Sequence, residues 1–370
     1  MQVEGGIENN DWAEAVRQGL APDIGLACDF YNRYEEDFDL AKSLGHTANR
    51  FSVEWARVEP EEGTFDSEAL AHYRRMVSAL RARGMEPMVT LWHFSLPLWF
   101  VARGSFGAKD APEVFARYAR TVAEALGDDV TLYLTMNEPL VWLGEHGKIL
   151  GAAPGFHNPF KAVHYFTQLV RAHRSAYREV KMASSRAQVG IAKHQFSVVA
   201  TTPLGAFVAV AFRYLWNRRF LDAIKDSQDF IGIQFYQRLF FWQSKKEQEA
   251  VPKSDIGWQL HPRAIVDTLR EAAHYRVPLY VSEAGVADRD DRVRAWYITE
   301  TLRGVLDALD QGADIRGFFY WSLLDNYEFK EGFSMRFGLV HVDHEGDQQR
   351  TIRGSARAYA DIIKRHGLPE

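Results

Sequence analysis

The feature that most constrains this chain is a regular alternation of short apolar, β-rich runs with amphipathic helical segments. Strand candidates begin near Thr47, Glu86, Val130, Gln188, Asp229, Val277 and Ile315, roughly 40 to 60 residues apart. Between the first two, Asp66 to Arg83 reads as a helix: Leu70, Tyr73, Met76, Val77 and Leu80 share one stripe, Asp66 caps the start and Gly84 ends it. Repeated βα units place a parallel sheet under a cover of helices, either doubly wound or closed as an eight-stranded barrel. The strand ends choose between the two. Arg50 lies within the first candidate, and His93, Asn137 with Glu138, His194, Tyr236, Glu283 and Trp321 follow at the ends of the others. A doubly wound sheet concentrates chemistry at one switch point, whereas a barrel collects it from all its strands at one rim. The expected fold is therefore α/β, a (β/α)8 TIM barrel, in a single domain over residues 1–370, since no Pro/Gly/Ser-rich linker divides the chain. Seven full strands are visible, and the opening Met1-Gln2-Val3-Glu4-Gly5-Gly6 can be at most the tail of another, so the first strand is expected to be truncated or missing.

Composition removes several function classes. Hydrophobic residues make up 46% of the 370 and charged ones 25%, the balance of a globular protein with ample core. The net charge of -5 is spread along the chain. The basic stretches Arg171 to Lys181 and Arg213 to Arg219 carry apolar residues at helical spacing, so they read as solvated helix faces and no nucleic-acid partner is expected. The longest apolar run, Leu204 to Phe212, has nine residues where a membrane span needs about 20. It reads as a packed helix, and no membrane association is expected. One cysteine, Cys28, cannot form an internal disulfide, and the first residues show no basic-then-apolar leader, which points to the cytoplasm. His341, Asp343, His344 and Glu345 read as a solvated loop; no metal and no cofactor are expected. Aromatic residues reach 13%, enough for a large core and for a cleft that stacks on flat apolar ligand faces such as those of sugars.

Two carboxylates carry the chemistry. Glu138 ends an apolar strand in Leu134-Thr135-Met136-Asn137-Glu138-Pro139, and Glu283 ends another in Leu279-Tyr280-Val281-Ser282-Glu283-Ala284-Gly285. Alone, each reads as structural. On two strands of one barrel they would face each other across its mouth, and glycosidic cleavage requires such a pair: an acid that protonates the leaving oxygen and a carboxylate that attacks the anomeric carbon or activates water.

With these residues in view, the sequence resembles glycoside hydrolase family 1, the β-glucosidase family of retaining (β/α)8 enzymes, over essentially its whole length. The motifs that carry the resemblance are Thr135-Met136-Asn137-Glu138-Pro139, Ser282-Glu283-Ala284-Gly285, Gln2-Val3-Glu4-Gly5, Arg50-Phe51-Ser52-Val53-Glu54-Trp55-Ala56-Arg57 and Trp321-Ser322-Leu323-Leu324-Asp325-Asn326-Tyr327-Glu328-Phe329. Trp92-His93-Phe94 and Arg336-Phe337-Gly338-Leu339 add to them. The resemblance implies that Glu138 is the general acid/base and Glu283 the nucleophile, with Arg50 and Tyr236 bonded to the Glu283 carboxylate. It implies that Gln2, His93, Asn137 and Glu328 bind sugar hydroxyls, that Trp321 lies beneath the ring, and that the Trp321–Ser322 peptide is cis. The substrate would be a small β-glycoside or oligosaccharide, with β-D-glucosides first and galactosides or fucosides beside them.

The chain departs from the family pattern at three positions in the site: Ala284 replaces Asn, Gln234 replaces Asn, and Phe329 replaces a Trp whose indole would bond a sugar hydroxyl. The stretch from Gln195 to Asp229 is short for the family, which would open the aglycone side. Two alternatives stand beside this reading: a catalytically weak barrel that binds glycosides, impaired by the missing first strand, or an enzyme whose open aglycone side lets it transfer the sugar to acceptors other than water. A 6-phospho-β-glycosidase is disfavoured, because that branch carries Ser in place of Glu328, and Lys and Tyr near Met335 and Phe337.

Overall fold

The structure, a computed structural model, describes residues 3–242 and 251–369. Seven strands follow in chain order: β1 (Ala48–Ser52), β2 (Glu86–Thr90), β3 (Leu132–Asn137), β4 (Gln188–Ala200), β5 (Phe230–Phe241), β6 (Leu279–Ala284) and β7 (Ile315–Tyr320). They are hydrogen-bonded in that same order, and the pairings β1–β2, β2–β3, β3–β4, β5–β6 and β6–β7 are parallel. Helices alternate with the strands, as the βα periodicity requires. Every strand begins within two residues of its expected start. Among the described residues no strand precedes β1.

The chain forms two compact units, one of residues 3–192, 226–229 and 327–332 and the other of the remaining described residues. The first unit holds β1 to β3 and the opening of β4. Its strand β3 reads Leu-Tyr-Leu-Thr-Met-Asn and is buried at every position, the pattern of a parallel strand covered on both faces. Helix Ser67–Ala82 starts where Asp66 accepts from the backbone N–H groups of Glu68 and Ala69, and it buries Ala69, Tyr73, Met76, Val77 and Leu80. Leu70 is only half-buried, so the buried stripe opens one residue earlier than its spacing suggests. Before β1, the N-terminal segment lies against the loop after β2: Asp11 N–H donates to Leu96 O at 2.9 Å and Leu98 N–H to Asn9 O at 2.9 Å. Glu4 anchors the same segment, accepting from Arg57 Nε at 2.9 Å and from the Tyr73 hydroxyl at 2.7 Å.

The second unit holds the rest of β4 with β5, β6 and β7. Here β4 and β5 run past the residues expected to end them, so His194 and Tyr236 lie inside strands rather than at their ends. The connection from β4 to β5 is a helix, Pro203–Arg213, then one π-helical turn, Tyr214–Arg218, then a helix, Arg219–Ile224. The apolar run Leu204 to Phe212 is helical as expected, but most of it is not buried. Only Gly205 and Ala209 are buried, and Leu204, Phe207 and Val210 are exposed. Among the described residues, no helix is long and apolar enough to cross a membrane.

Candidate active site

In the first unit the end of β3 is shaped by a register shift. Leu134 pairs with Gly190, but the next pair is Asn137 with Ala192, so Thr135 and Met136 together oppose Ile191. Such a bulge re-aims the side chains that follow it. The Thr135 hydroxyl pins it, donating to His173 Nδ1 at 2.6 Å while His173 Nε2 donates to Ser227 O at 2.7 Å. Burial lowers the pKa of His173 to about 4, so a neutral ring can serve both partners. Asn137 then closes the strand and Glu138 turns the chain with φ 42° and ψ 60°. This left-handed backbone disfavours any residue with a β-carbon, and the surroundings must hold it. They do so through Glu138 N–H to Ala192 O at 2.9 Å and through Pro139, which opens helix Pro139–Gly144.

The same unit brings Arg50 and Asn137 together. Arg50 Nη2 donates to Asn137 Oδ1 at 2.6 Å and Arg50 Nε to Thr90 Oγ1 at 3.0 Å. His93, just beyond β2, is buried; burial first and the charge of Arg50 second push its pKa well below the usual imidazole value. A neutral His93 can donate with one ring nitrogen and accept with the other. Phe329 is 4% exposed, its ring set against Trp12 at 4.7 Å, His146 at 4.8 Å and Phe94 at 5.4 Å between centroids. Glu328 precedes it, half-buried, with its N–H bonded to Gly332 O. Gln2 lies outside the described residues.

In the second unit a further register shift precedes the other carboxylate. Ile233 pairs with Val281 and Gln234 with Glu283, which leaves Ser282 as the extra residue. Glu283 is buried, and the Tyr236 hydroxyl donates to its Oε2 at 2.6 Å. Trp321 follows β7 directly, half-buried, with its N–H bonded to Ala284 O at 3.0 Å. The Trp321–Ser322 peptide is cis, as the resemblance implies. Gly285 makes this approach feasible, since a β-carbon there would lie 1.8 Å from Trp321 O. His194, whose ring lies parallel to that of Tyr236, was expected only as a strand-end residue, and Trp216, which bonds His194, was not singled out in the sequence at all.

Comparison with known proteins agrees with this architecture. The sequence model of Glycosyl hydrolase family 1 matches residues 12–207 and 221–368. A β-glucosidase of Agrobacterium sp. is 31% identical over 402 residues, covering 93% of this chain and 86% of its own length. Among solved structures, a β-glycosidase from Pyrococcus horikoshii superposes with a TM-score of 0.88 at 34% identity, covering 100% of this chain and 95% of that one. A family 1 β-glucosidase from Thermotoga maritima in complex with isofagomine lactam gives 0.89 at 27% identity, covering 100% and 96%. These likenesses span the α/β barrel fold from end to end. The chain belongs to glycosyl hydrolase family 1 and is a glycosidase.

Proposed function

We propose that this enzyme is an exo-acting retaining β-glycosidase for terminal β-D-glucosides, with β-galactosides and β-fucosides in the same substrate class. The observation that carries the reading is the Tyr236 hydroxyl on Glu283 Oε2 at 2.6 Å, which holds one carboxylate oxygen and orients the other for attack. In the first step Glu283 forms a bond to the anomeric carbon as the bond to the aglycone oxygen breaks, and Glu138 gives that oxygen its proton. In the second, Glu138 takes a proton from water, the water oxygen bonds to the anomeric carbon, and the Glu283 ester bond breaks. The free sugar leaves with its original anomeric configuration.

Arg50 is assigned with Tyr236 to the support of Glu283; His93, Asn137, Glu328, Gln2 and Phe329 to glycone recognition; and Trp321 to the face of the ring. A single domain is supported by β4, whose backbone runs continuously from one compact unit into the other. A cytoplasmic location is supported by the single cysteine, which leaves no intramolecular disulfide to form. Proton NMR of the first turnovers of an aryl β-D-glucoside tests the reading. The β-anomer of glucose should appear first and mutarotate to the α-anomer; initial release of the α-anomer would overturn it.

A further inference from the structure

The support of Glu283 does not stop at Tyr236. The Tyr236 ring lies parallel to the His194 imidazole, with centroids 6.2 Å apart and planes 12° apart. His194 in turn receives the indole N–H of Trp216 on Nδ1 at 3.2 Å. Since Nδ1 accepts, a neutral His194 carries its proton on Nε2. Burial and then the neighbouring Lys193 charge lower its pKa to about 3, which keeps it neutral. A chain of contacts therefore runs from the Trp216 indole through His194 and Tyr236 to the carboxylate of Glu283, all within one compact unit.

Trp216 is itself held in place. It sits in the π-helical turn Tyr214–Arg218, and inserted turns of this kind occur often at functional sites. The next residue, Asn217, is fully buried and bonds the backbone of β4 in both directions: its Oδ1 accepts from Phe196 N–H at 3.1 Å and its Nδ2 donates to Phe196 O at 2.9 Å. Asn217 thus imitates a neighbouring strand and fixes the turn to the residue two places after His194. The Trp216 ring further packs in a three-ring cluster with Phe212, at 6.0 Å and 5°, and Phe196, at 5.5 Å, which also touch each other at 5.8 Å. Lys193 Nζ lies 5.6 Å from the same indole and donates to His194 O at 2.5 Å.

We infer that Trp216 and His194 are positioning residues for the reaction, with the indole N–H setting the imidazole plane against which Tyr236 presents its hydroxyl to Glu283. Trp216 falls in residues 208–220, between the two stretches that the family model matches, whereas His194, Tyr236 and Glu283 fall within them, so the outermost link of this support comes from the β4–β5 connection of this chain. The inference rests on the proposed role of Glu283 as nucleophile.

The test is a cycle of variants on aryl β-D-glucoside hydrolysis. Trp216→Phe keeps an aromatic ring and removes the N–H. It should lower kcat/KM by about 2- to 13-fold, the worth of one neutral hydrogen bond. The loss should be carried by kcat, with the competitive inhibition constant of glucose and the Tm unchanged. His194→Phe should lose about as much, and Trp216→Phe should cost nothing more in a Tyr236→Phe background, because a residue that acts through Tyr236 cannot act in its absence. Additive losses in the double variant, or a loss that follows Tm, would overturn the inference. Glu283→Gly separates this from the underlying reading: retained activity would remove the role of Glu283 itself, whereas abolished activity with additive Trp216 and Tyr236 losses removes only the positioning chain.

Discussion

The two carboxylates are delivered by different means. Glu138 stands outside β3, on a left-handed residue clamped between a strand end and a proline-led helix. Glu283 stands inside β6, its backbone paired with Gln234 of β5 and its side chain held by the Tyr236 hydroxyl. A bulge precedes each of them. The contrast matches the two assigned duties. A nucleophile must meet one carbon along one line and profits from a fixed carboxylate. A group that first gives and then takes a proton must serve two oxygens in succession, and a rigid backbone is sufficient to present it.

The largest effect should come from removing the two groups in turn. Glu283→Gly should lower kcat/KM on the order of 10⁴-fold or more. Glu138→Gly should cost about 10²- to 10⁴-fold, and less with phenols that depart without a proton. Equal sensitivity of both variants to the leaving group would break the comparison. Next, Tyr236→Phe deletes one hydrogen bond to a charged group, worth about 1.5–3 kcal/mol, so a loss of roughly 10- to 150-fold should appear in kcat.

Stability should separate the same two positions in another way. Glycine relaxes the left-handed backbone at 138 but weakens a strand at 283. Glu138→Gly should therefore be more stable than Glu283→Gly by about 1–3 kcal/mol, read from Tm. The pH dependence adds a mark of the first unit. Burial raises the pKa of Asp11 to about 8, so between about pH 4 and 8 the folded state keeps a proton that the unfolded state has lost. Stability from this group is complete below about pH 4 and falls as the pH rises towards 8. Asp11→Asn should flatten that decline in Tm. An effect of similar size concerns Phe329: because it is packed on three rings, Phe329→Trp should cost about 1–3 kcal/mol of stability by overpacking, even though the indole restores a donor.

The strand starts and the catalytic motifs were legible in the sequence because parallel buried strands leave apolar runs of fixed spacing and polar residues at the rim. The far ends of β4 and β5 were not. Gln195 to Val199 mixes polar and apolar residues as a loop does, and only the partner strand reveals it as sheet. The two bulges leave no trace in composition, since Thr135 or Ser282 at a register shift looks like any other strand residue. Trp216 was hidden more thoroughly, because its hydrogen bond to His194 depends on a π-helical turn that periodicity cannot detect. The exposed Leu204, Phe207 and Val210 mark the opposite error, where an apolar run was read as core.

The most direct measurement is peptide mapping by mass spectrometry after incubation with a 2-deoxy-2-fluoro-β-D-glucoside bearing a good leaving group, which slows release of the glycosyl-enzyme. The expected result is one fluoroglucosyl group on the peptide that contains Glu283, with hydrolysis lost in parallel. A label on the Glu138 peptide, or complete hydrolysis of the natural aryl glucoside by a Glu283→Gly variant, would contradict the account.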